Sequence, residues 1–128
     1  MTDAVTPAEA GSPDPVAQQL WDALNQARLQ RAAPATLAHL EDQVFWFYLP
    51  LARSVTAVHP VLTENAAGAQ QAAEIGLAEA VLEWRRSDGT GFPRFARDRI
   101  NAQLGQVQAR QLQARQRRDR AGRHRDNP

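Results

Sequence analysis

Apolar residues recur at three- and four-residue steps through most of residues 14–107 and nowhere alternate strictly with polar ones, a pattern that predicts helices and no strand. The first predicted helix runs from Pro15 to about Ala32. Asp14 suits its N-cap and Pro15 its first turn. Val16, Leu20, Leu24 and Ala27 share a face with Trp21 beside it, and Ala33-Pro34 breaks the pattern. The second helix starts near Ala35-Thr36 and carries Leu37, Leu40, Val44, Tyr48, Leu51 and Val55 in one stripe. Pro50 interrupts it, yet the stripe resumes in phase, so a kink is expected there and an end only at His59-Pro60. Residues 60–67 read as a connector. A third helix from about Ala69 to Arg85 has two apolar rows, Ile75-Ala78-Leu82 and Leu77-Val81-Trp84, a face wide enough to imply burial between partners. Gly76 lies between them and suits the close approach of another helix despite its cost in helix propensity. The fourth helix is expected from Pro93 to about Arg118, with Phe95, Ile100, Leu104 and Val107 inward. The expectation is an all-α fold: a compact bundle of about four helices over 14–107, with 1–13 disordered. Residues 108–128 form an Arg/Gln-rich helical extension whose end, from 119, is also disordered.

Composition narrows the chemistry. At 128 residues and 43% hydrophobic the chain supports one modest core. It has no cysteine, which removes disulfides and thiolate metal sites. His39, His59 and His124 are scattered, without carboxylates at ligand spacing, so no metal or other cofactor is expected. There is no nucleophile–base arrangement, and Gly89-Thr90-Gly91 lacks the context of a nucleotide loop, so the chain does not read as an enzyme. No apolar run is long enough to span a membrane, and the acidic N-terminus lacks the basic start and apolar core of a signal peptide; the expected compartment is the cytoplasm. All basic residues are arginine. The net charge of +1 hides a division: residues 1–84 hold 3 Arg against 10 Asp and Glu, a net −7, and residues 85–128 hold 12 Arg against 4 Asp, a net +8. A basic end of this kind points to nucleic acid or another polyanion. Aromatics beside arginines from Trp84 to Arg99 suit single strands in particular, through stacking and phosphate pairing. The aromatic run Phe45-Trp46-Phe47-Tyr48 is read as core packing in preference to a partner patch.

From about Leu20 to Leu104 the chain resembles region 2 of the sigma-70 family of bacterial RNA polymerase sigma factors. Tyr48-Leu49-Pro50-Leu51-Ala52-Arg53 is similar to the family's Tyr-x-Pro-Leu-Val-Arg. Ile75-Gly76-Leu77, then Ala80-Val81 and Trp84, is similar to Ile-Gly-Leu-x-x-Ala-Val-x-x-Phe. Gly89, Phe92, Phe95, Ala96 and Ile100 follow the spacing of Gly-x-x-Phe-x-x-Tyr-Ala-x-x-x-Ile, and the blocks align without a gap from Gln71 to Leu104. The resemblance implies a transcription initiation protein whose third helix docks on the clamp helices of the largest subunit of core RNA polymerase, here through Gln70, Gln71, Glu74, Ala78 and Leu82. It also implies that the turn and fourth helix meet the −10 element of promoter DNA, here through Trp84, Arg86, Thr90, Arg94, Phe95, Arg97 and Arg99, with Phe92 at a position the family buries.

Several contact positions depart from the family pattern. Gln71-Ala72-Ala73 stands for Gln-Glu-Gly, Thr90 for an aromatic, Gly91 for a basic residue, Asp98-Arg99 for tandem tryptophans and Asn101 for a basic residue. Asp88 adds a like charge beside the phosphates. No −35-reading helix-turn-helix follows, so a separate protein is expected to supply one. Two further readings stay open: a sigma mimic or regulator that binds polymerase or an anti-sigma factor without melting DNA, and a degenerate helical interaction protein.

Overall fold

The structure, a computed structural model, describes residues 14–86 and 89–126. Residues 1–13, expected to be disordered, and Asp88 lie outside the described residues. The fold is an all-α bundle, and among the described residues there is no strand. Its helices are α1 (Pro15–Leu29), α2 (Pro34–Ala57), α3 (Val61–Glu64), α4 (Ala66–Glu83) and α5 (Phe92–Asp126).

Each boundary has a local cause. The Asp14 carboxylate accepts hydrogen bonds from the amides of Val16 (2.7 Å) and Ala17 (3.3 Å), starting α1 as expected. That helix ends at Leu29, short of Ala32, because Arg31 turns left-handed at φ 54°. The Ala32 amide then reaches the Ala27 carbonyl (2.9 Å) and the Arg31 amide the Arg28 carbonyl (3.1 Å), a Schellman closure with arginine where glycine is usual. Helix α2 runs through Pro50, which sits on its exposed side. The expected connector contains one helical turn, α3. There the His59 Nδ1 accepts from the Val61 amide at 3.2 Å and Val61 is fully buried. Asn65 caps α4 by accepting from the Gly68 amide (3.0 Å).

Packing follows the predicted stripes with one rotation. On α1 the buried line is Ala17, Trp21, Leu24 and Ala27, with Trp21 at its centre and Val16 exposed. A large indole dominates burial over a valine five residues earlier. Helix α4 turns a face of small residues, Ala69, Ala72, Ala73, Gly76 and Ala80, toward the core, together with Leu77 and Val81. The gap at Gly76 is filled by α5: a Cβ there would stand 2.8 Å from both the Arg99 carbonyl oxygen and the Ile100 Cα. From α5, Phe92, Ala96, Ile100 and Leu104 complete the core, and Val107 is its last buried residue. Gln, Ala and Arg of strong intrinsic helix propensity carry α5 through residues 108–118, and the helix continues to Asp126, beyond the expected end at Arg118. The Arg115–Glu64 ion pair (2.6 Å) ties this continuation to α3.

Candidate polymerase and nucleic-acid surfaces

Because α4 buries Leu77 and Val81, its opposite side carries the residues assigned to polymerase docking. Gln70, Gln71, Glu74 and Leu82 are exposed and Ala78 is half-buried; Gln70, Glu74, Ala78 and Leu82 form one outward stripe at four-residue spacing, with Gln71 beside it. The first apolar row, expected to be buried with the second, belongs to this stripe: Ile75 is 44% exposed and Leu82 49%. The stripe borders two clefts against α2. Gln70 and Glu74 face Leu49, Arg53 and Thr56 across one; Ala78 and Leu82 face Glu41, Asp42 and Phe45 across the other. Gln71 looks the other way, toward Gln103 and Arg110 of α5. Trp46, expected in the core, is 64% exposed and packs edge-on against Phe45, with ring centroids 5.6 Å apart. Four consecutive aromatics cannot all face inward from one helix, and Trp46 is the one turned out.

The residues assigned to DNA divide differently. The aromatics expected to offer stacking faces mostly hold the fold together. Trp84 is 8% exposed and Phe92 fully buried. The Phe92 ring lies 4.8 Å from Trp21, 4.6 Å from Tyr48 and 5.8 Å from Trp84, centroid to centroid. Below it the Trp21 indole N–H donates to the Tyr48 hydroxyl at 3.2 Å, and burial raises the Tyr48 phenol above its ordinary pKa. Gly89 presses the turn onto this cluster: a Cβ there would meet Trp21 Cδ1 at 2.6 Å and Nε1 at 2.7 Å. Trp84, assigned to base stacking, is buried in this structure, where its ring closes one side of the Phe92 pocket.

Phe95 is half-buried beside Trp84 (5.3 Å) and keeps an outer edge. The Arg99 guanidinium lies over its ring at 5.4 Å and also forms a two-point ion pair with Glu83 through Nη1–Oε2 (3.1 Å) and Nη2–Oε1. Arg99, assigned to DNA, thus bridges α4 and α5 in this structure. Thr90, Arg86, Arg94 and Arg97 are exposed, with Arg86 placed 6.0 Å from the Trp84 ring. Arg97 lines a cleft with Ser54, His59 and Asn101 on the α2 side of α5. Residues 97 and 99 are about 200° apart around a helix, so the assigned set covers two sides of α5 and not one patch.

Arg28 was not anticipated from sequence, where a lone arginine late in a helix carries no signal. Its guanidinium donates to the carbonyls of Trp84 (3.0 Å) and Val81 (3.1 Å) and pairs with Glu41 (3.5 Å). A cation thereby closes the C-terminus of α4 and binds it to α1 and α2. Burial, then repulsion from Arg85, lowers its pKa, and Glu41 opposes both; a guanidinium remains charged regardless. Arg28→Ala is expected to cost about 2–3 kcal/mol, because two carbonyls and Glu41 lose their donor in a partly buried site. Urea unfolding measures this, and a loss below about 0.5 kcal/mol would mean that water replaces the guanidinium.

Among the described residues no cluster of three or more His, Asp or Glu is placed to hold a metal ion, and no helix is long and apolar enough to cross a membrane. No family model, curated protein or solved structure matches the chain.

Proposed function

We propose that this chain is a sigma-like module of transcription initiation that binds core RNA polymerase through the outer stripe of α4 and reaches −10 promoter DNA with the 84–91 turn and the start of α5. The observation that supports it best is a partition among the family-like positions. Gly76, Leu77, Gly89, Phe92, Ala96 and Ile100 are buried scaffold, with Ile75 the exception at 44% exposed, whereas Gln70, Glu74 and Leu82 stand exposed in one line with Gln71 exposed beside it. An apolar anchor flanked by amides and a carboxylate has the composition of a protein contact, with Leu82 as the desolvated centre. Such a module works beside polymerase in the cytoplasm.

Pull-down of core polymerase tests the reading. A Gln71→Ala/Glu74→Ala/Leu82→Ala variant is expected to recover at least about tenfold less polymerase than wild type, since truncating a central anchor with its neighbours typically removes more than 1.4 kcal/mol. All three side chains are exposed, so the fold should survive, and circular dichroism checks that it does. Equal recovery would sink the docking assignment.

A specific observation favours one alternative for the DNA half. Trp84 is buried and Arg99 is held by Glu83, leaving Thr90, Phe95 and the exposed arginines to meet a strand. A regulator that occupies polymerase, or an anti-sigma factor, without melting DNA needs no more than the α4 stripe. It predicts normal polymerase recovery with no binding to a single-stranded −10-like oligonucleotide even at low salt.

A further inference from the structure

Helix α5 is 35 residues long, and its core contribution stops at Val107. Residues 108–126 therefore form a helix about 28 Å long at 1.5 Å per residue, outside the core. This stretch contains 7 Arg and 2 Asp, a net +5, and no Phe, Trp or Tyr. Arg115 is engaged with Glu64; Arg117, Arg118, Arg120 and Arg123 are all exposed. At about 100° per residue these four are spread around the helix, with no arginine-free half.

We propose that α5 from Arg117 onward binds duplex DNA by lying in its major groove, held by arginine–phosphate pairs on both walls. Three features select this ligand. A protein partner needs an apolar anchor, and the stretch offers only Leu112, 50% exposed near its start. Single strands are gripped by stacking on aromatics, and there are none. A helix is about 10–12 Å across with its side chains, the width of the B-form major groove, whereas the A-form RNA major groove is too narrow. Cations pointing in all directions suit a groove with phosphates on either side and would be half wasted on a flat surface. Affinity that rests on arginine–phosphate pairs is strongly salt-dependent and does not require a particular base sequence. The surface is separate from the α4 stripe, so the inference stands or falls apart from the polymerase reading.

The test uses the full chain, a labelled 20-base-pair duplex DNA of arbitrary sequence, and fluorescence anisotropy from 50 to 200 mM NaCl. Arg117→Gln/Arg118→Gln/Arg120→Gln/Arg123→Gln removes four charges and keeps a good helix former at each position. The variant is expected to bind at least about tenfold more weakly, with a log K against log salt slope shallower by about 3–4, since each neutralised phosphate contributes about 0.9. The corresponding four-lysine variant should retain most of the slope, and polymerase recovery should be unchanged in both. Equal affinity and slope for wild type and the glutamine variant would overturn the proposal. So would tighter binding to duplex RNA or single-stranded DNA than to duplex DNA, or equal displacement by poly-glutamate at matched charge.

Discussion

Phe92→Ala is expected to cost about 3–5 kcal/mol of folding stability, the range for deleting a fully buried aromatic ring. The ring is completely inaccessible and is shared by three parts of the chain: Trp21 of α1, Tyr48 of α2, and Trp84 beyond the end of α4. Each such pair adds about 0.5–1.5 kcal/mol beyond simple burial, so the loss belongs at the upper end. The pocket has little freedom to collapse into the space. Trp21 is fixed from above by the Gly89 backbone and from the side by its hydrogen bond to Tyr48, and Trp84 is fixed by Arg28 on its carbonyl. Urea unfolding, followed by tryptophan fluorescence and circular dichroism together, gives the value. A loss under about 1 kcal/mol would mean that the neighbouring rings close over the cavity, and the cluster would then not be the rigid seat of the turn. Phe92→Leu should fall between the two, because it restores volume but none of the ring contacts.

The same cluster explains what could be read in advance. Helix periodicity was legible because Leu24, Val44, Tyr48, Leu77, Ile100 and Leu104 recur at the period that one buried face imposes, and all of them are buried. Periodicity does not say which of two adjacent apolar rows faces the core. On α4 that depends on Gly76, whose missing side chain lets α5 approach and carries the Leu77–Val81 row inward while Ile75 and Leu82 stay out. Aromatics were the hardest to place. Trp46 lies in an apolar run and Trp84 beside Glu83, Arg85 and Arg86, yet the first is 64% exposed and the second 8%. What separates them is the Phe92 ring, which packs on Trp84 at 5.8 Å and which α2 meets through Tyr48, not Trp46. Arg28 and Arg99 were illegible as structural groups for a related reason. Each is defined by a partner more than 10 residues away, a carbonyl in one case and a carboxylate in the other. The helix is legible as far as Arg118, where Gln, Ala and Arg sustain it by propensity without an apolar stripe; its continuation to Asp126 is not, because Asp119, Gly122 and His124 are weak helix formers.

Gly76→Leu is the second large effect expected, a loss of about 3 kcal/mol or more, at the top of the range for overpacking a core. Its cause is backbone, not side chain. The added Cβ would come within 2.8 Å of the Arg99 carbonyl oxygen and the Ile100 Cα, and neither can rotate aside as a flexible side chain would. Helices α4 and α5 must separate, which opens the packing of Leu77 against Ile100 and Leu104. Gly76→Ala isolates the first methyl: it gains about 1 kcal/mol in helix propensity but is still expected to lose about 1–3 kcal/mol net. Gly105→Ala is the internal reference, with the same change in the middle of α5, where a Cβ meets nothing within 4 Å. It should stabilise by about 0.5–1 kcal/mol through propensity alone. Opposite signs for the two alanine variants in urea unfolding would show that the close approach, not glycine flexibility, sets the requirement at Gly76. Equal stabilisation would mean that α5 shifts without cost, and the outward stripe from Gln70 to Leu82 would then have no fixed orientation. On the proposed docking, polymerase recovery should also fall with Gly76→Leu in protein that remains helical, since Leu82 and Glu74 ride on the helix that is displaced.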